Sequence, residues 1–162
     1  MLVAIESGRV RLHLNLTPGV AVAEQVIARI DRNRDGAVSE NEAAVYVAWL
    51  KRDLTLRIDG RKLELKLTAS EFVPPEELRT GSGIIQVEFS AALGSLAGSS
   101  HRLVLENRHL SKISVYLINA VKPKLGTIEI TRQKRNTNRS TGEIEFAVHP
   151  ASRKVTAASS SP

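Results

Sequence analysis

Residues 2–16 read LVAIESGRVRLHLNL, and apolar and polar residues alternate on both sides of the Ser7-Gly8 pair. Such alternation is typical of a half-buried β-strand. The apolar positions are Val3, Ile5, Val10, Leu12, Leu14 and Leu16. A two-residue loop at Ser7-Gly8 would place Ile5 opposite Val10, so that apolar residues face each other across the two strands. The stretch therefore predicts a β-hairpin.

A second hairpin of the same kind is predicted around Asp59-Gly60. The apolar positions are Leu54, Leu56 and Ile58 before this pair and Leu63, Leu65 and Leu67 after it. A two-residue loop pairs Leu56 with Leu63 and Leu54 with Leu65, whereas a three-residue loop would place polar residues opposite them. Further strands are predicted at residues 84–89, 103–105, 113–118, 128–130 and 144–148. Many short strands separated by turn signals predict a mainly β (α+β) chain, an antiparallel β-sandwich of the Ig-like type.

Residues 20–50 depart from this alternation. Val22, Val26 and Ile30 recur every four residues, and Tyr46 and Leu50 repeat that spacing after a gap. Such spacing is typical of amphipathic helices. Thr17 is the expected N-cap, with Pro18 in the first helical position. We therefore expect a helical hairpin at residues 18–52, inserted into the β domain after its first strands.

Residues 31–42, which join the two helical segments, read DRNRDGAVSENE. Calcium is a hard cation that takes six to eight oxygen ligands. The expected ligands are the side chains of Asp31, Asn33 and Asp35, the main-chain carbonyl of Ala37, Ser39 directly or through a water, and both carboxylate oxygens of Glu42. Gly36 permits the sharp bend that the loop requires. The alternative is a polar turn with a capping Asp and with acidic residues at the start of the second helix.

This loop resembles the EF-hand family at every ligand position and at the glycine. The whole chain also resembles uncharacterised bacterial exported or membrane-anchored proteins that carry one EF-hand inside a β-rich ectodomain. That second resemblance rests on the alternating strand before residues 17–19, the single loop, the strand 54–60 that follows it, and residues 107–109 and 114–119. It implies an extracytoplasmic location, periplasmic or at the cell surface, with a signal and a membrane anchor outside the given residues.

The loop is expected to bind one calcium ion with modest affinity, and the role of this ion is expected to be mainly structural. Its ligand charge is low, Arg32 and Arg34 lie beside the ligands, and no second loop is present to support it. We expect a Kd on the order of 10⁻⁴ M, with poor competition from magnesium. The alternative is a calcium-dependent adhesion or sensor module that binds a protein or a glycan. A methionine-rich groove of the calmodulin type is not expected, because the only methionine is Met1.

Composition argues against several other functions. The chain has 162 residues, no cysteine and a net charge of +6. Its basic residues are spread out, except for a dense stretch at 132–139 without aromatic residues, so nucleic-acid binding is not favoured. No acid–base pair, nucleophile motif or catalytic metal motif appears, so the chain is predicted not to be an enzyme. The four histidines, His13, His101, His109 and His149, are expected to be solvated or capping residues, and Trp49 is expected in the core.

The expected organisation is one domain over residues 1–150 and a disordered Ser-rich tail or linker over residues 151–162. No apolar run approaches the roughly 20 residues of a membrane helix. Residues 1–15 lack the basic, apolar and small-residue pattern of an export signal, so any such signal is expected to have been removed.

Overall fold

The computed structural model describes residues 1–123 and 127–149. Its strands are β1 (Leu2–Glu6), β2 (Arg9–Leu16), β3 (Leu54–Ile58), β4 (Arg61–Lys62), β5 (Lys66–Glu71), β6 (Ile85–Ala92), β7 (Ser100–Asn107), β8 (Asn119–Ala120), β9 (Ile128–Arg135) and β10 (Thr141–Val148). Its α-helices are α1 (Ala23–Ile30), α2 (Glu40–Arg52) and α3 (Pro75–Arg79). The expected tail at residues 151–162 lies outside the described residues.

The strands form two five-stranded sheets, in the orders β5-β6-β2-β1-β8 and β4-β3-β7-β10-β9. All pairings are antiparallel except that of β1 with β8, which is parallel. The prediction of a mainly β chain is therefore confirmed.

The first hairpin has the predicted register. Val3 lies opposite Leu12 and Ile5 opposite Val10. Val10, Leu12 and Leu14 of β2 are buried while Arg9 and Arg11 are exposed, as alternation across a pleated strand requires. Buried side chains from both sheets and from α1 and α2 belong to one hydrophobic core.

The second hairpin begins as predicted and then ends early. Arg57 pairs with Lys62, and the Leu63 N–H donates to the Leu56 carbonyl at 2.8 Å, so the predicted register is correct next to the turn. The predicted pairing of Leu54 with Leu65 is not formed, because the ladder stops at β4. The chain then crosses to the other sheet, where β5 pairs with β6. Leu63 and Leu65 are both buried along the crossing.

The prediction of a strand at residues 113–118 is wrong, since only Asn119–Ala120 is assigned to a strand there. The alternation that prompted it is nevertheless real. Tyr116 and Ile118 are buried, whereas Val115 and Leu117 are exposed. The segment is not a strand because a strand needs hydrogen bonds to a neighbour, and β1 runs beside only its last residues.

The helical insert is present, but its first helix starts later than predicted. A short 3₁₀ turn at Val20–Val22 comes first, with Gly19 as its N-cap, so the predicted cap at Thr17 is wrong. Helix α1 then presents Val26, Ile27 and Ile30 to the core.

Within residues 1–123 and 127–149, no helix has both the length and the apolar character needed to cross a membrane.

Candidate metal centre

The predicted calcium loop lies between the end of α1 and the start of α2. Asp31 follows the last residue of α1, and its N–H donates to the Ile27 carbonyl at 2.8 Å. Ser39 is the N-cap of α2, and its hydroxyl and the Glu42 carboxylate form a reciprocal capping box. Both ends of the loop are therefore anchored to helices that contribute to the core.

The loop turns sharply in its middle. Gly36 has a φ of +81°, a conformation that costs a glycine little. The Asp31 carboxylate accepts hydrogen bonds from the Gly36 N–H at 3.0 Å and the Asp35 N–H at 3.2 Å. The first predicted ligand thus lies inside the turn, with main-chain N–H groups directed at it.

Asn33 and Asp35 are held by contacts within the loop. The Asn33 Oδ1 accepts from the Asp35 N–H at 3.1 Å, and the Asn33 amide donates to Asp35 Oδ2 at 2.8 Å. Asp35 Oδ1 accepts from the Ala37 N–H at 2.9 Å. The two side chains therefore lie close to each other, but both residues are exposed.

Glu42 connects the two ends of the loop. Its Oε1 accepts from the Arg32 N–H at 2.8 Å, and its Oε2 accepts from the Ser39 hydroxyl at 2.7 Å and the Ser39 N–H at 3.1 Å. These hydrogen bonds, that of the Ser39 side chain foremost, lower the pKa of Glu42 from 4.5 to about 2. The carboxylate is consequently ionised at neutral pH.

Within the described residues, none of the three loop carboxylates forms an ion pair, although Arg32 and Arg34 are in the same loop. Asp31 and Glu42 are only 4% and 7% exposed. The chain's other two aspartates, by contrast, each lie 2.8 Å from a buried histidine. The loop therefore combines two buried carboxylates and a third nearby without a cationic side chain to balance them.

The donor chemistry of the loop suits a hard cation, since all the predicted ligand atoms are oxygens. Each carboxylate oxygen of Asp31 and Asp35 accepts one hydrogen bond and keeps a second lone pair, whereas each carboxylate oxygen of Glu42 accepts two hydrogen bonds. In the ranges that the structure describes, however, no three His, Cys, Asp or Glu side chains are gathered closely enough to hold a metal ion. The carboxylates are instead directed at main-chain N–H groups of the loop.

A buried polar network that sequence reasoning missed lies behind α2. His109 Nδ1 is 2.8 Å from Asp53 Oδ2, and His109 Nε2 is 3.0 Å from the Tyr46 hydroxyl. Because a carboxylate only accepts hydrogen bonds, Nδ1 carries the ring proton and Nε2 accepts from Tyr46. Burial lowers the pKa of His109 despite the nearby Asp53, and burial raises the pKa of Tyr46. Both groups are therefore neutral.

The expectation that the histidines are solvated is wrong for two of them. His109 is 2% exposed, and His101 is equally buried, with its Nδ1 2.8 Å from Asp59 Oδ2. No local spacing could have revealed these pairs, because 42 and 56 residues separate the partners. Trp49 is half-buried against the core, with its ring 4.4 Å from that of His109.

A cavity of about 430 Å³ lies beside His109. Its walls come from residues 14–19, 21–22 and 113–118, and Tyr46, Asn107 and His109 also contribute to its lining. No Asp or Glu side chain is among the described residues that line it. His109, which lines the cavity, is bonded on its far side to Asp53, whose carboxylate is not among these lining residues.

Compared with models of known protein families, with curated proteins and with solved structures, the chain gives no match in any of the three comparisons.

The low pKa of Glu42 predicts an acid-sensitive loop. A carboxyl whose pKa is lower in the folded than in the unfolded chain stabilises the fold above pH 4.5, and this contribution is lost as the pH falls from 4.5 towards 2. We expect Glu42→Gln to lower the free energy of unfolding at about pH 6 and to have a smaller effect at about pH 3. Denaturant titrations at both pH values test this.

Glu40→Gln is the matched control for this experiment, because Glu40 lies in the same helical turn but is exposed. An equal effect of Glu42→Gln at both pH values would contradict the assignment of this contribution to the Glu42 charge.

Proposed function

We propose that this protein is a calcium-binding module in which one ion, held by residues 31–42, has a mainly structural role. The observation that carries the proposal is the group of carboxylates at Asp31, Asp35 and Glu42 with no cationic partner among the described residues. A bound cation would balance this charge. The oxygen-only donor set favours calcium over softer metals.

The ion would stabilise the angle between two helices. Asp31 is attached to the end of α1 and Glu42 to the first turn of α2, so an ion bound by both carboxylates connects the helices. Ala37 contributes a main-chain carbonyl that accepts no hydrogen bond in the described part of the chain. Val38 packs against the core beside it, which anchors the loop to the domain.

Trp49 offers a direct test by fluorescence. Its ring lies on α2, and the guanidinium of Arg29 from α1 lies 5.1 Å from the ring centroid. A change in the angle between the helices alters this contact, so calcium is expected to change Trp49 emission in a saturable manner. We expect a midpoint on the order of 10⁻⁴ M calcium and little response to magnesium.

Glu42→Gln and Glu40→Gln form the variant pair for this titration. Glutamine keeps an oxygen that can accept the capping hydrogen bond of α2, but it cannot bind calcium with two carboxylate oxygens. We expect the fluorescence response to be lost in Glu42→Gln and retained in Glu40→Gln. No saturable response up to several millimolar calcium, with isothermal calorimetry also silent, would refute the proposal.

A second candidate is a calcium-dependent adhesion or sensor module that binds a protein or a glycan. One observation favours it. Tyr46, which lies one helical turn after Glu42 on α2, is part of the cavity lining and bonds to His109. A movement of α2 would therefore displace Tyr46 and change the lining of the cavity. A partner that binds with calcium and dissociates with chelator would support this candidate over the purely structural role.

We also propose that the two sheets form an Ig-like sandwich and that the module is extracytoplasmic. The shared core of the two sheets supports the first proposal, and an experimental structure would test it. A calcium affinity near 10⁻⁴ M is typical of extracellular modules and would support the second. Protection of the protein from added protease in spheroplasts, in which the periplasmic space is open to the protease, would contradict the extracytoplasmic location.

A further inference from the structure

Strand β5 lies at the edge of its sheet and has a neighbouring strand on one side only. Within the described residues it pairs with β6, and its six residues, Lys66–Glu71, are all exposed. Both ends of β5 continue into described segments, towards β4 and towards α3. An open strand edge is a template for pairing with another strand. The free edge of β5 is therefore a candidate interaction surface.

Strand β6 shows which main-chain groups of β5 are already used. The Leu93 N–H, directly after β6, donates to the Gly8 carbonyl at 2.9 Å, and β6 pairs with β2 in one continuous register. Alternation along β6 therefore directs its odd-numbered residues to β2 and its even-numbered residues to β5. The Thr68 hydroxyl donates to the Glu88 carbonyl at 3.2 Å, which agrees with this direction.

Two residues of β5 direct their main-chain groups to the free edge. The residues of β5 that pair with Ser90, Glu88 and Gln86 are, in that order, Lys66, Ala69 and Glu71. Leu67 and Ser70 alternate with these, and Thr68 is the extra residue of a β-bulge. Beyond the β5–β6 ladder, neither Leu67 nor Ser70 has a main-chain hydrogen bond to any described residue. Their N–H and carbonyl groups are thus available to a further strand.

The sequence of β5 is complementary to itself. When two copies run antiparallel about a twofold axis between Thr68 and Ala69, Leu67 of one copy lies opposite Ser70 of the other. The residues that face the free edge thus form hydrogen-bonded pairs with each other. The bulge does not disturb this register, because both copies carry it at the same place.

The side chains of β5 agree with the same register. Lys66 and Glu71 pair with half-buried residues of β6 that alternate with its buried ones, so both charged side chains lie on the outer face of the sheet. In the antiparallel pair, each Lys66 lies opposite the Glu71 of the other copy, and opposite charges in this position are stabilising. Leu67 lies opposite Phe89 on the inner face and is 47% exposed, so an added strand would partly cover it.

The other strand edges in the described part of the chain do not offer such a pairing. Strands β4 and β8 have two residues each. Strand β9 has eight residues, but pairing with its own copy about Gln133 would place Arg132 opposite Lys134. Like charges directly opposite each other are destabilising. Among the described edge strands, β5 is therefore the one whose charges favour a second copy.

We propose that two copies of this chain associate edge to edge through β5, in antiparallel register, so that one sheet continues across both copies. Main-chain hydrogen bonds between Leu67 and Ser70 join the strands, and the pairs of Lys66 with Glu71 fix the register. One short strand from each copy buries much less than the roughly 1,200 Å² of a standard interface. We therefore expect a reversible dimer with a Kd on the order of 10⁻⁴ M.

Sedimentation equilibrium at low ionic strength, from about 10 µM to about 1 mM protein, measures this association. Lys66→Glu places glutamates opposite each other, Glu71→Lys places lysines opposite each other, and each such contact occurs twice in the dimer. We expect each single variant to weaken the dimer at least about tenfold. The double variant Lys66→Glu/Glu71→Lys has opposite charges again and is expected to restore the dimer. Both side chains are exposed, so circular dichroism should show the same fold throughout.

Amide hydrogen exchange locates the interface. Exchange at Leu67 and Ser70 is expected to slow as the protein concentration rises, because the dimer pairs these N–H groups. The Gln133 amide is the internal control and should not change. The Asn136 N–H donates to the Thr141 carbonyl at 3.1 Å, so alternation directs the Gln133 N–H to the free edge of β9. A monomer over the whole concentration range would overturn the proposal, and so would a dimer of unchanged affinity in both single variants or a folded double variant that stays monomeric.

Discussion

Replacement of His109 by alanine is expected to lower the free energy of unfolding by about 3 kcal/mol. The change removes the hydrogen-bond partners of two buried or half-buried groups, the Asp53 carboxylate and the Tyr46 hydroxyl. It also leaves a void beside Trp49, whose ring contacts that of His109. Unsatisfied buried polar groups and an unfilled cavity are each costly, so the effect should be large. Equilibrium denaturation at neutral pH measures it.

His13→Ala is the matched control, because His13 also bonds to a carboxylate but is only half-buried, on β2. We expect it to change the unfolding free energy by less than about 1 kcal/mol. A similar small effect for His109→Ala would show that the buried network contributes little.

The contribution of this network to the free energy of unfolding is also expected to depend on pH. Burial lowers the pKa of His109, so the unfolded chain takes up a proton more readily than the folded protein. The stability that depends on neutral His109 is thus complete above pH 6.5 and declines as the pH falls below it. This decline should be smaller in His109→Gln, whose side chain does not titrate.

Calcium at a hundredfold excess over its Kd is expected to raise the free energy of unfolding by about 2.7 kcal/mol, provided that it binds only the folded chain. For a domain of this size that corresponds to a rise in melting temperature of about 5–10 °C. The physical reason is that the ion would bind oxygens from the ends of two helices, which are brought together only in the folded protein. Thermal unfolding in calcium and in chelator measures the difference.

Glu42→Gln should abolish this thermal shift, and Glu40→Gln should preserve it. Magnesium at the same concentration should raise the melting temperature much less, because it requires a smaller octahedral shell and retains its waters. An unchanged melting temperature between millimolar calcium and chelator would contradict the structural role of the ion.

Local patterns predicted those features whose information lies in a few consecutive residues. The first hairpin has the expected register because its loop length and its alternating side chains specify the same pairing. The predicted ligand residues Asp31, Asn33 and Asp35 are linked by hydrogen bonds within one turn for a similar reason, since they are close in sequence and Gly36 permits the turn. Whether these residues bind calcium remains a prediction.

Other features depended on neighbours distant in the sequence. Residues 113–118 alternate like a strand, yet they lack a continuous partner, and strand formation requires one. The chain between Leu63 and Lys66 leaves the predicted hairpin because β5 is hydrogen-bonded to β6 in the other sheet. Alternation specifies which side chains are buried, but it does not specify which strand supplies the hydrogen bonds.

The sequence by itself determined the β-rich class, the helical insert and the set of candidate oxygen donors in residues 31–42, because periodicity and loop chemistry act over short distances. Only the tertiary structure placed His109 between Asp53 and Tyr46 and formed the cavity beside it. These features arise where segments far apart in the chain are packed against one core. Burial there makes a histidine neutral, and no local pattern records that outcome.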